Sequence, residues 1–175
     1  MDAVAAIPRM AGAPAIAVIG CGNPNRRDDG VGGEVLRRLG PRLSDRADTV
    51  RLLDAGTDGM AVMFAARGCA ALILIDACRS GSEPGAIFQL PGAELAAPHP
   101  PSLTLHDFRW DHALYAGRQI FAADFPTDVT VFLIEAESVD LGVGLSPPVA
   151  EAAGRVAAMI AERLARPAPR ADASP

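Results

Sequence analysis

Residues 70–77 read AALILIDA, an apolar run broken by one charge, Asp76. A strand this apolar on both alternating faces must be covered on both sides, which is the situation of a central strand in a parallel sheet. The rest of the chain supplies the cover. Short apolar stretches at 15–20, 49–53, 86–90 and 129–137 read as further strands. Helical spacing marks 28–39 through Val31, Val35, Leu36 and Leu39, and 59–67 through Met60, Met63 and Phe64. It continues at 106–122 with Phe108, Leu114 and Ile120, and at 147–164 with Val149, Ala153, Val156, Ile160 and Leu164. Strands that alternate with helices predict a three-layer α/β/α domain. Only the turn-rich 80–85 separates the third strand from the fourth, too short for a parallel crossover, so the fourth is expected to run antiparallel. Residues 91–101 read as a long proline-rich loop and 139–145 as a glycine-containing one. Ser146 and Pro147 suit the N-cap and first turn of the last helix.

The single domain is expected to span 15–165, with a loose leader at 1–14 and a disordered, Pro- and Ala-rich tail at 166–175. A chain of 175 residues is long enough to bury one sizeable core. The net charge of −5 argues against a general nucleic-acid surface. No run of about 20 apolar residues predicts a membrane span. Pro8 and Arg9 interrupt the first apolar stretch, so no secretory signal is expected. Cys21, Cys69 and Cys78 lack zinc-like spacing, and an odd count suits the reducing cytoplasm.

The chemistry concentrates in residues 15–33, AIAVIGCGNPNRRDDGVGG. A strand passes through a Gly-Asn-Pro turn into a helix opened by Asp28 and Asp29. Two readings compete for these acids. One is helix capping, for which Asp28 alone suffices. The other is a cation site, since two adjacent carboxylates facing one cleft repel unless a metal joins them; Asp29 is then the ligand. A dinucleotide fingerprint is disfavoured, because Asn25 stands where its third glycine belongs and the acids would repel a pyrophosphate.

Right-handed crossovers bring the strand ends near Gly20, Asp54, Asp76 and Glu137 to one edge, where open α/β sheets bind ligands. Asp76 closes a buried strand, which favours a ligand or acid–base role over a turn cap. Three histidines are available. His106 lies at a predicted helix start, His112 inside that helix and His99 among prolines. Two carboxylates and one imidazole suit nickel, zinc or cadmium, with waters completing the shell.

The motif Gly20-x-Gly22-Asn23-Pro24 followed by Asp28-Asp29-Gly30-Val31-Gly32 resembles the opening of the nickel–iron hydrogenase maturation endopeptidases. The likeness continues through Asp54-Ala55-Gly56-Thr57-x-Gly59, Leu74-Ile75-Asp76-Ala77, Pro84-Gly85, a later histidine and Gly144-Leu145-Ser146-Pro147. It implies a mixed five-stranded sheet, mostly parallel with one antiparallel strand. It also implies removal of a C-terminal extension from a hydrogenase large-subunit precursor after nickel insertion. The family's metal-contacting residues fall on Asp29, Asp76 and His106, with nickel carried by the precursor. Asp54 matches a further acid near the cleft, and Glu137 an acid before the last loop. Cys21 and the charge-rich segment 105–112 depart from the family pattern.

Two mechanisms fit this resemblance: attack by metal-polarised water, or proton abstraction by a carboxylate such as Asp54, with Asp29 and Asp76 as the other acids at the reaction. Two other functions fit parts of the same pattern. A cysteine hydrolase would pair Cys78 or Cys21 with His106, although free cysteine is more often a small buried hydrophobe. A nickel- or precursor-binding chaperone would share the metal site without turnover.

Overall fold

The computed structural model describes residues 15–98 and 109–166. Strands β1 (Ile16–Cys21), β2 (Val50–Gly56), β3 (Ala71–Cys78), β4 (Ile87–Pro91) and β5 (Asp128–Glu135) form one five-stranded sheet in the order β2-β1-β3-β5-β4. β1 pairs in parallel with β2 and β3, and β3 with β5. β4 runs antiparallel to β5, as its short connection requires.

The expected run at 70–77 is the centre of the sheet. Its alternate side chains serve two cores. Ile73 and Ile75 join Val18, Phe132 and Ile134 under α1 (Val31–Leu39) and α5 (Pro147–Ala165). Leu72 and Leu74 join Ala17, Ile19 and Val131 under α2 (Gly59–Ala66) and α4 (Trp110–Phe121). Each fully buried aliphatic side chain contributes about 1.5–3 kcal/mol. On α5 the predicted stripe Val149, Ala153, Val156, Ile160 and Leu164 is buried throughout.

Other expectations are corrected. A one-turn helix, α3 (Gly92–Leu95), occupies part of the predicted proline-rich loop. Described α4 starts at Trp110; His99, His106 and Phe108 lie outside the described residues. Phe64 and Ile120 are exposed, and the inward face of α4 is Trp110, Ala113, Leu114 and Gly117. The last strand ends at Glu135, two residues before the expected Glu137.

One contact sets the relation of α1 to the sheet. A Cβ on Gly20 would stand 2.6 Å from the carbonyl carbon of Gly32. A Cβ on Gly32 would stand 2.3 Å from the Cys21 carbonyl oxygen and 2.8 Å from that of Ile75. Helix and strands therefore meet backbone to backbone, with α1 seated over the ends of β1 and β3. The turn that precedes α1, Arg27–Gly30, is thereby held above the same strand ends.

Gly32→Ala should be destabilising by about 1–3 kcal/mol or more, since backbone atoms on both strands would have to retreat. Gly40→Ala provides the comparison: its nearest contact would be 3.9 Å away and its φ is an ordinary −49°, so little change is expected. Chemical denaturation of the two variants measures the difference; equal stabilities would refute the backbone contact.

Candidate functional site

From β1 the chain crosses to β2 on one side, and from β2 it returns to β3 on the other. The order of connection thus reverses between β1 and β3, and a crevice opens beyond their carboxyl ends. A cleft of about 550 Å³ lies there, with Asp29, Asp76, Gly22 and Cys21 in its wall. Thr57 and Asp58 after β2, Cys78 and Arg79 at the end of β3, and Arg109 with Trp110 at the start of α4 also line it.

Asp29 and Asp76, predicted from separate motifs, both line this cleft. Asp29 is half-buried, and its Oδ2 accepts a hydrogen bond from the Asn23 N–H at 2.9 Å. Gly22, with φ +115°, lies between the two acids: a Cβ there would stand 1.7 Å from the Asp29 carbonyl oxygen and 3.5 Å from Asp76 Oδ1. Glycine at this position lets the loop pass close enough for both carboxylates to share the crevice.

Asp76 is buried, and both of its oxygens are engaged. Ala77 N–H donates to Oδ1 at 2.9 Å and the Trp110 indole donates to Oδ2 at 2.7 Å. Burial pushes its carboxyl up to about 6; the Trp110 and Ala77 bonds and Arg109 oppose this rise, and the charge of Asp29 adds to it. Trp110 and Arg109 were not singled out from sequence. The available signal was the lone tryptophan of the chain, set within the charged segment 105–112.

Asp28 does not cap its own helix, contrary to the capping reading. Neither the turn Arg27–Gly30 nor α1 carries a side-chain cap. The fully buried Asp28 carboxylate reaches across to the loop 137–146 instead. It accepts from Glu137 N and Ser138 N at 2.9 and 3.1 Å, and from Ser146 N and Ser146 Oγ at 2.6 and 3.0 Å. Ser146 stands at the N-cap position of α5 with Pro147 following, but its hydroxyl donates to Asp28 rather than accepting from the helix.

Asp54 and Glu137 reach the predicted edge and are exposed, and neither lines the cleft. Asp54 Oδ1 takes the Gly56 N–H at 3.0 Å, and Oδ2 lies close to Gly33 at the start of α1. The buried acid from β5 is Glu135, which sequence reasoning missed. Its carboxylate accepts from Ser80 N–H and hydroxyl, Gly81 N–H and the Cys78 thiol. Burial acts to raise its pKa, but these bonds prevail and hold it at about 2.

His112 sits in the first turn of α4, where its Nδ1 accepts from Arg109 N–H at 3.4 Å, and it does not line the cleft. Among the described residues, no three histidine, cysteine or acidic side chains are grouped so as to hold a metal ion. Cys21 and Cys78 are not activated. Burial, followed by the charges of Asp76 and Asp54, pushes the Cys21 thiol far above its ordinary value. Burial and the Glu135 bond push Cys78 up to about 12. A nucleophilic thiolate requires the opposite shift.

The family model described as hydrogenase maturation protease matches residues 34–163. The chain is 30% identical over 135 residues to the hydrogenase 2 maturation protease of Escherichia coli, covering 77% of this chain and 80% of that one. It is 28% identical over 156 residues to the coenzyme F420 hydrogenase subunit delta of Methanothermobacter thermautotrophicus, covering 85% and 94%. The solved structure of the hydrogenase maturating endopeptidase HybD from E. coli superposes with a TM-score of 0.68 at 27% identity, covering 86% and 93%. Among the described residues, no helix is long and apolar enough to cross a membrane.

The raised pKa of Asp76 has a testable sign. Its ordinary value is 3.8 and its folded value about 6, so the folded protein holds this proton more tightly than the unfolded chain. Ionising Asp76 therefore costs stability as pH rises from about 4 through 6. Relative to Asp76→Asn, the wild-type protein should lose unfolding free energy across that window and run parallel to the variant outside it. Denaturant titrations at successive pH values measure the gap; a gap independent of pH would show that Asp76 is not perturbed.

Proposed function

Because the chain belongs to the hydrogenase maturation proteases, we propose that it removes the C-terminal extension of a nickel–iron hydrogenase large-subunit precursor after nickel has been inserted. The observation that carries this reading is the meeting of Asp29 and Asp76 in one cleft at the switch between β1 and β3. Both are hard oxygen donors. Asp29 contributes to the raised pKa of Asp76, and a divalent cation beside them would relieve that repulsion. In this reading nickel is part of the substrate, carried in the precursor and recognised by Asp29, Asp76 and His106. Zinc or cadmium would compete for the same donors.

The chain's own groups hold this arrangement. Trp110 and Ala77 N–H fix the Asp76 carboxylate, and Asn23 N–H fixes that of Asp29. Arg109 and Arg79 bring positive charge to the same wall, where they can face carbonyl oxygens or a chain terminus of a bound peptide. Asp54 stands at the end of β2, exposed, and close enough for its charge to act on Cys21 in the cleft wall, where it can serve as the base at the scissile bond while Asp29 and Asp76 face the metal. Asp58 also lines the cleft, but its Oδ1 already accepts from Ala61 N–H and caps α2.

Asp29→Asn tests the reading. Asparagine keeps an oxygen for Asn23 N–H, so thermal unfolding should shift little. Cleavage of nickel-loaded precursor, followed by mass spectrometry, should fall by more than the roughly 10–100-fold typical of losing an outer-sphere partner. Asp28→Asn should behave in the opposite way. A single amide oxygen cannot receive all four donors at Asp28, so the fold should lose about 2–3 kcal/mol or more. An Asp29→Asn protein that cleaves at the wild-type rate would remove Asp29 from the site.

A further inference from the structure

The loop 137–146 connects β5 to α5 and rises beside the cleft, with Val139 in the cleft wall. It is held at both ends and in the middle. Asp28 receives Glu137 N–H, Ser138 N–H and both Ser146 donors, and Asp28 N–H donates to Ser138 O at 3.1 Å. Arg27 N–H donates to Gly142 O and Gly142 N–H to Asn25 O, each at 2.9 Å, while Arg26 Nε donates to Val139 O at 3.0 Å. Gly142, at φ +150°, lies against the Arg27 side chain.

On this braced loop Leu141 and Val143 stand 81% and 82% exposed, the most exposed large hydrophobic side chains among the described residues. A single exposed aliphatic is ordinary. Two within three residues, on a backbone fixed by a buried carboxylate, form a preorganised apolar lip that folding alone does not use. Preorganisation lowers the entropy cost of binding.

We propose that Leu141 and Val143 are a docking lip for the folded body of the precursor protein whose C-terminal segment enters the cleft. The proposal rests on the precursor-processing reading above. The position argues for this occupant: Val139, two residues before Leu141, stands in the wall of the cleft that holds Asp29 and Asp76, so the lip borders the opening that the end of a precursor chain would enter. An apolar lip fits the apolar part of a protein surface and not a charged ligand.

The test compares wild type with Leu141→Ser/Val143→Ser on nickel-loaded precursor, by cleavage kinetics and by calorimetric binding of the precursor. Both side chains are solvent-exposed, so thermal unfolding should be unchanged; Leu141→Asp alone supplies an independent single-site reading. The expected result is a rise of about tenfold or more in KM and in the Kd for precursor, with kcat within about twofold. Unchanged KM and Kd would overturn the lip, as would a loss of kcat at constant KM, which would mean the loop shapes the chemistry instead. A wild-type dimer dissolved by the variant without any change in KM would assign the surface to a second copy and overturn the proposal. If wild type binds precursor without cleaving it, the processing reading fails, and the Kd comparison still decides the lip.

Discussion

The site depends on one buried carboxylate. Asp28 is fully sequestered, and its carboxyl oxygens accept four hydrogen bonds from a loop more than a hundred residues away. A buried polar group without such partners would be costly, and removing one partner leaves a donor or acceptor unsatisfied. That constraint couples the turn after β1 to the loop after β5. It turns two adjacent acids to different work: Asp28 inward to bind the loop, Asp29 outward to the cleft. The backbone contact of Gly20 and Gly32 adds the second constraint, pressing α1 onto the strand ends so that the turn before it overhangs β3.

The apolar run at 70–77 was legible because burial on both faces leaves a pattern that no half-wet strand would show. The last helix was legible for the matching reason, an inward stripe at helical spacing. Antiparallel β4 followed from the length of its connection alone. What failed were inferences needing a partner distant in sequence. A cap is a local device, so an acid at a helix start reads as one, and nothing local marks Glu137 N–H or Ser146 as the true partners of Asp28. Glu135 escaped notice because its role depends on the β3–β5 register that sets it opposite Cys78. Phe64 and Ile120 were misread because α2 and α4 are covered on one side only.

At the site, the motifs around Asp29 and Asp76 were legible because each sits at the end of a strand readable on its own. Their convergence follows from the topology, which reverses between β1 and β3. Trp110 and Arg109 enter from α4, and the indole bond to Asp76 is a tertiary fact without a sequence signature beyond the single tryptophan. Asp54 was legible from its matching place at a strand end, and the Asx bond to Gly56 N–H fixes its carboxylate there.

The proposed role of Asp29 and Asp76 is to recognise nickel inside a protein substrate. The most direct measurement presents purified large-subunit precursor, nickel-loaded and nickel-free in parallel, and follows the mass of its C-terminus over time. Loss of the terminal segment from the loaded form alone is the expected result. Cleavage of both forms at the same rate would contradict it.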